Sequence, residues 1–404
     1  FSIAQTIDSG YIIAGETASN DQDVSGNHGG CDYWVVKLDN SGNIQWQKTL
    51  GGSLDDRAKS IIQTTDGGFI VVGYSNSTDG DVSGNHGKED YWVVKLDNSG
   101  NMQWQKSLGG SSWDYGYSIT QSTDGGYIIA GDSQSNDGDV NGNHGSADYW
   151  VVKLDNSGNM QWQKALGGGN RDRAHSIIQT KDGGYIIAGK SESYDGDVSG
   201  NHGNNDYWVV KLDNSGNLQW QKALGGGGRD EAWAITQTTD GGYIVAGLSF
   251  SNDGDVSGNH GGSDYWVVKL DISGTLQWQK AFGGSSGDWA HSIILTRDDG
   301  YIITGVSEST DGDVSGNHGK FDYWVAKLTS GIGILEKQKT YDNIIIYPNP
   351  SPGKVFIEID NPNSSEYNMI LTDIKGQVVL VKEEIIGNNI EFDINGFSSG
   401  LYTV

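Results

Sequence analysis

Asp90-Tyr91-Trp92-Val93-Val94-Lys95-Leu96, then the turn Asp97-Asn98-Ser99-Gly100-Asn101 and the run Met102-Gln103-Trp104-Gln105-Lys106, is the stretch that decides the architecture. Its first seven residues recur at Asp32, Asp148, Asp206, Asp264 and Asp322, always 58 residues apart, with Ala326 replacing the second Val in the last copy. Upstream of Asp90 lie Ser60-Ile61-Ile62-Gln63-Thr64, the turn Thr65-Asp66-Gly67-Gly68, the run Phe69-Ile70-Val71-Val72-Gly73 and a polar loop from Ser75 to Glu89. Each unit therefore holds four short β runs, two tight Gly/Asn/Asp hairpins and two longer connections. A four-stranded unit repeated six times predicts an all-β chain folded as a six-bladed β-propeller, in which radial repetition protects the sheet edges. A β-solenoid is the competing reading, and the length and hairpins of the unit disfavour it.

The repeats span residues 1–329, a linker is expected over 330–342, and residues 343–404 read as a separate small β-sandwich. Fourteen Trp and nineteen Tyr against four Pro suit a core of aromatic and β-branched side chains. A formal charge of -26 argues against nucleic acid and anionic membrane partners, which select basic patches. Cys31 is the sole cysteine, so no disulfide framework exists, and no apolar run has the length of a membrane-spanning helix. The Trp-containing fourth run occurs five times, at Trp46, Trp104, Trp162, Trp220 and Trp278, whereas the first three runs occur six times. Phe1 falls in mid-repeat with no signal peptide before it, so an N-terminal strand that completes the last blade is expected to be missing.

Hairpin connectivity puts the two tight turns on one face of the disc and the two long connections on the other. The sharpest chemical signal sits on that second face. Counted from Asp79, the loop to Asp90 places oxygen side chains at positions 1 (Asp79), 3 (Asp81) and 5 (Ser83), glycine at 6 and a carboxylate at 12 (Asp90). That is the ligand spacing of an EF-hand calcium loop with Asp at the last position. The set recurs as Asp21, Asp23, Ser25, Asp32; Asp137, Asp139, Asn141, Asp148; Asp195, Asp197, Ser199, Asp206; Asp253, Asp255, Ser257, Asp264; and Asp311, Asp313, Ser315, Asp322. About one Ca2+ per repeat is the expectation, because crowded carboxylates repel unless a hard cation separates them. The bland alternative is a metal-free turn held by Asx-type hydrogen bonds. His28, His86, His144, His202, His260 and His318 in the same loops are expected to pack or hydrogen-bond rather than ligate, since one imidazole among hard oxygens is a poor zinc set.

Copies differ mainly in the long connections. Trp113, Tyr115, Tyr117, Trp233 and Trp289 vary there, as do Tyr74, Tyr194 and Phe250 beside the Asp-rich loops, and these aromatics are the expected ligand-binding residues. His175 and His291 lie outside the repeated triplet. No catalytic residues are assigned, because no nucleophile motif or localised acid/base pair is present in the sequence.

Three resemblances add to this reading. Lys95 to Lys106 resembles the tryptophan-docking motif of quinoprotein-like propellers, which implies that each fourth-run Trp packs between blades. The Asp-rich loops are similar to those of dockerin-like modules, in the loop alone. Residues Tyr347-Pro348-Asn349-Pro350, the hairpin Asp373-Ile374-Lys375-Gly376 and the ending Gly400-Leu401-Tyr402-Thr403-Val404 resemble the type A C-terminal sorting domain of the type IX secretion system of Bacteroidota. That resemblance implies export to the cell surface or medium and docking with the secretion machinery, although the copy stops before the family's expected last strand. The expected function is therefore a secreted or surface calcium-binding propeller that captures a polysaccharide or protein on its long-loop face, and not an enzyme. A propeller-type glycan lyase or hydrolase and a structural spacer are the alternatives.

Overall fold

The computed structural model describes residues 1–329 in full and, beyond them, the strands alone of the C-terminal unit; the linker and the Pro348-Asn349-Pro350 segment lie outside the described residues. The chain divides into two compact units, Phe1–Gly333 and Ile334–Val404. The first unit is six blades of a β-propeller. The type blade, blade 2, pairs Asp56–Gln63, Phe69–Ser75, Asp90–Leu96 and Met102–Leu108 antiparallel in that order. Blade 1 (Ser2–Leu50) and blades 3 to 5 repeat this plan, and blade 6 shows three strands among the described residues, Asp288–Leu295, Tyr301–Ser307 and Asp322–Leu328. First strands of successive blades touch one another, so they line the central axis and the Trp-bearing fourth strands lie outermost.

Blades 1 to 5 each join the next through the same contact. The Tyr of Asp-Tyr-Trp is fully buried, its ring is tilted against the Trp of the following blade at 4.5–4.6 Å, and its hydroxyl donates to that Trp's main-chain carbonyl at 2.8 Å, as in Tyr33 to Trp92, Tyr91 to Trp150, Tyr149 to Trp208 and Tyr207 to Trp266. A phenol suits this place because its ring buries apolar area while its tip satisfies a buried acceptor. Around the pair, alternate strand residues form one apolar cluster per junction, such as Tyr91, Val93, Ile70 and Val72 of blade 2 with Trp150, Val152, Tyr127 and Ile129 of blade 3.

Each fourth-strand Trp closes the rim of a junction. Trp46 meets Phe69 of the next blade at 5.7 Å edge-on and lies under the turn glycine Gly100. Gly100 has φ 79°, and a Cβ there would sit 3.0 Å from the Trp46 ring, so the Asn-Ser-Gly-Asn turn needs glycine for conformation and for clearance. The Lys of each Trp-Val-Val-Lys run is buried along its stem and reaches the hairpin Asp, as Lys95 does to Asp66 at 3.0 Å. In the C-terminal unit two three-stranded sheets pair Ile344–Tyr347, Lys354–Ile359 and Asn389–Asp393, and Val378–Ile386, Glu366–Asp373 and Tyr402–Thr403.

The Tyr149→Phe substitution removes one buried hydrogen bond and is expected to lower stability by about 1 kcal/mol. Trp162→Ala opens a rim cavity and is expected to cost about 3 kcal/mol. Guanidinium unfolding followed by tryptophan fluorescence measures both, and a silent Tyr149→Phe would show that ring packing alone holds the junction.

Candidate functional site at the channel mouth

The first strands begin four residues earlier than the sequence reading, at Asp56 rather than Ser60. The reason is a β-bulge. Ala58 pairs with Gly73 and Ser60 with Val72, leaving Lys59 without an opposite residue, and the extra residue masks the two-residue alternation. Tyr117, His175, Trp233 and His291 are bulged in the same way. Tyr115, Tyr117, Trp233 and Trp289 are therefore strand residues and not loop residues, a correction to the expectation. Glycine faces the bulge in each second strand because a Cβ on Gly73 would lie 2.0 Å from the Arg57 carbonyl.

Bulges re-aim side chains, and here they do so next to the axis where first strands converge. The outcome is a continuous aromatic path. Tyr74 meets Tyr115 at 4.8 Å and Tyr115 meets Tyr117 at 6.5 Å. Tyr117 meets the His175 ring edge-on at 5.8 Å, His175 stacks on Trp233 at 4.2 Å and 10°, and Trp233 meets His291 at 5.4 Å. Of the eight aromatics expected from sequence, the path takes in Tyr74, Tyr115, Tyr117 and Trp233. Trp113 lies apart, under the Lys88 ammonium, and Trp289 packs on Phe321 and donates to the Ser263 hydroxyl. Tyr194 and Phe250 are exposed. Sequence reading passed over His175 as a path member, yet the signal was present: five near-identical repeats carry Lys, Tyr, His, Trp and His at one register.

Ion pairs frame the path. Arg173 Nε donates to Asp132 at 2.9 Å and lies over the Tyr117 ring, while Glu231 accepts from Lys190 at 2.5 Å and from Arg229 at 2.8 Å. Burial raises Asp132 to about 6 against the opposing pull of Arg173. Burial also works against the Glu231 charge, but Arg229 and Lys190 overcome it and hold that carboxyl at about 2. His175 is pushed down to about 4 by burial, so its ring is neutral at pH 7. Its Nδ1 faces the Ala232 carbonyl at 2.8 Å, which only accepts; Nδ1 therefore carries the proton and Nε2 presents a lone pair. The Trp233 indole N–H is buried without a partner in the protein.

In blades 2 to 6 the Asp-rich loop reaches back onto the Gly-Gly connection of the preceding blade. The position-1 carboxylate of Asp79 accepts from Ser53 N–H at 2.7 Å, and Asp81 at position 3 accepts from Gly51 N–H at 3.3 Å and donates its own N–H to the Gly51 carbonyl at 2.9 Å. Ser83 at position 5 meets Gln105, and Asp90 at position 12 accepts from both the main chain and Nδ1 of His86 at 2.9 and 2.7 Å. Asp137/Asp139, Asp195/Asp197, Asp253/Asp255 and Asp311/Asp313 repeat the first two contacts, whereas Asp21 and Asp23 are exposed. Among the described residues no three His, Cys, Asp or Glu side chains are grouped to hold an ion. The position-12 Asp instead meets the first-strand Asp of the next blade across a glycine, as Asp32 and Asp56 do around Gly51. Asp56 fixes the connection, accepting from Gly52 N–H at 2.7 Å and Ser77 Oγ at 2.9 Å. One oxygen of Asp32, Asp90, Asp148, Asp206 and Asp264 is buried without a partner.

Residues 345–404 match the family described as Secretion system C-terminal sorting domain. The tail thus marks an exported protein of the cell surface or medium and a client of the secretion machinery. Over 163 residues the chain is 26% identical to the regulatory protein FlaEY of Caulobacter vibrioides, covering 38% of this chain and 17% of that protein, so it spans about a sixth of that relative's length. Solved structures similar to it include the Neurospora crassa Pan2 WD40 domain (11% identity, 75% of this chain and 74% of that one, TM-score 0.43) and BamB from Moraxella catarrhalis (13%, 94% and 84%, TM-score 0.37). None of these likenesses brings an activity with it.

Burial lifts Asp56, Asp90 and Asp172 to about 6, as it does Asp132. A carboxyl with a folded pKa above its unfolded value of about 4 binds its proton more tightly when folded. Its contribution is fully present below that unfolded value and is lost as pH rises through about 6. His175, lowered to about 4, and His291, also lowered by burial, oppose this as two groups against four. Asp66, Asp240 and Glu231 are held at about 2, and their contribution is lost as pH falls toward that value. The melting temperature is therefore expected to peak between about pH 4 and 5 and to fall by several degrees toward pH 7. Asp90→Asn and Asp172→Asn should flatten the fall, and a rise from pH 5 to 7 in calorimetry would contradict the assignment.

Proposed function

We propose that this exported propeller captures a neutral polysaccharide at the aromatic channel mouth, as an adhesion or substrate-capture module of the cell surface. The observation that carries the reading is the path from Tyr74 to His291, built where near-identical repeats differ in sequence. Flat rings at successive 4–7 Å steps offer stacking platforms to the C–H faces of consecutive sugar units, and Nε2 of His175 supplies an acceptor. A charge of -26 favours a neutral chain over an acidic one. Binding is favoured over catalysis because Asp132 and Glu231, the carboxylates beside Tyr117 and His175, are buried and engaged by Arg173, Lys190 and Arg229, out of reach of a glycosidic oxygen.

A glycan array with the 404-residue chain tests this. Retention of neutral glycans is expected, and Trp233→Ala or Tyr117→Ala should weaken it at least tenfold, about 1.4 kcal/mol. Trp113→Ala and Trp289→Ala should stay within about twofold. Equal retention by all four variants would remove the mouth as the site, and release of shortened glycan would replace capture with lyase or hydrolase activity.

Calcium remains a second proposal, now for the blade junctions: the orphaned oxygens of Asp32, Asp90, Asp148, Asp206 and Asp264 are what favours it. Under that reading, chelator lowers the melting temperature at pH 7.5 by several degrees and added calcium restores it. A melting temperature unmoved by chelator ends the proposal.

A further inference from the structure

Six blades have five covered junctions, and each junction joins two unlike faces of the repeat. One face carries the Tyr and first Val of Asp-Tyr-Trp-Val, such as Tyr33 and Val35 with Ile12 and Ala14. The other carries the Trp and second Val, such as Trp92 and Val94 with Phe69 and Val71. From blade 1 to blade 5 the tyrosine face is sealed, and Tyr33, Tyr91, Tyr149, Tyr207 and Tyr265 are all 0% exposed. On blade 6 the same face is bare: Tyr323 is 95% exposed, Val325 63% and Ile294 56%. On blade 1 the tryptophan face is bare in turn. Ile3 is 64% exposed, Tyr11 is 36% exposed where its counterparts Phe69, Tyr127, Tyr185 and Tyr243 are at most 2%, and Trp34 is only half-buried.

We propose that these faces are two halves of an unfilled site, and that their occupant is further blade material of this same repeat, carried in the same polypeptide and seated between blade 6 and blade 1. The argument is continuity with an interface used five times. An incoming blade offers its tryptophan face and main-chain carbonyl to the Tyr323 hydroxyl, and its own tyrosine face to the Trp34 carbonyl. Both contacts are ones that the protein already makes at 2.8 Å, as between Tyr91 and Trp150. Junctions of this head-to-tail kind close a ring only when the repeated rotation completes the circle, and the two bare faces mark a circle not completed. A second array is a poorer occupant. Each junction applies the same rotation about the axis shared by the first strands, so an array docked on Tyr323 would carry its later blades into the space held by blades 1 to 5. Bare apolar faces of this extent are otherwise an association liability.

The test compares the 404-residue chain with two chains lengthened by tandem duplication of residues 109–166, once and twice. Hydrogen exchange is read by mass spectrometry and mass by light scattering. In the unlengthened chain, amides of Tyr11–Thr17 and Asp322–Leu328 should exchange at least 100-fold faster than those of Tyr185–Ser191. In one of the lengthened chains both segments should slow to the Tyr185–Ser191 level with the mass still monomeric, and Tyr323→Phe, silent in the unlengthened chain, should lower the melting temperature by a few degrees. Slow exchange of both segments in the unlengthened monomer would overturn the proposal, because blade 6 would then close directly on blade 1 or be covered by the C-terminal unit. Slow exchange with a mass that doubles on concentration would overturn it in favour of a second copy. Fast exchange persisting in both lengthened chains would overturn it outright.

Discussion

The contact on which the propeller depends is the hydroxyl of one blade's tyrosine held against the main-chain carbonyl of the next blade's tryptophan, with the two rings tilted together above it. A sheet buries one face easily, but a blade must bury both against unlike neighbours. The Asp-Tyr-Trp-Val run meets this demand within four residues, because alternation sends Tyr and the first Val one way and Trp and the second Val the other. The same alternation makes the two faces non-equivalent, so the interface propagates in one direction and leaves two different ends.

Around that contact the recurring polar side chains bond to the main chain of the long connections. Asp79, Asp81, Asp56 and Asp90 tie the long connections of adjacent blades together through main-chain N–H groups, Ser77 and His86. Two carboxyls flank each junction glycine, and burial raises the proton affinity of Asp56, Asp90, Asp114, Asp148, Asp172, Asp206, Asp230 and Asp264. The invariant half of the repeat thus supplies rigidity, and the variable half supplies identity. That variable half is concentrated at bulge positions beside the axis, where Lys59, Tyr117, His175, Trp233 and His291 sit at one register on five blades.

Fold and site were legible to different degrees for a physical reason. Strand number and hairpins follow from periodicity and turn chemistry, which are local, and the inter-blade role of Trp46 and its copies is what the resemblance to the tryptophan-docking motif implies. In the Asp-rich loops the 1-3-5-12 spacing shows which oxygens crowd together, but not that Asp79 and Asp81 reach the connection of the preceding blade, because that contact is made 26 or 30 residues away. Tyr115, Tyr117 and Trp233 were noticed as variable aromatics but placed in loops, since one inserted residue per strand breaks the alternation by which strands are recognised.

By itself the sequence determined the repeat, its four-stranded plan, the direction of its hairpins and the secretion tail, because each rests on residues adjacent in the chain. Tertiary structure alone decided that carboxylates 26 or 30 residues from their partners bind main-chain amides, that His175 stacks on Trp233, and which faces at the ends of the array stay bare. These depend on how one blade rotates onto the next, a quantity set by packing between residues about 58 positions apart and written in no single stretch of the chain.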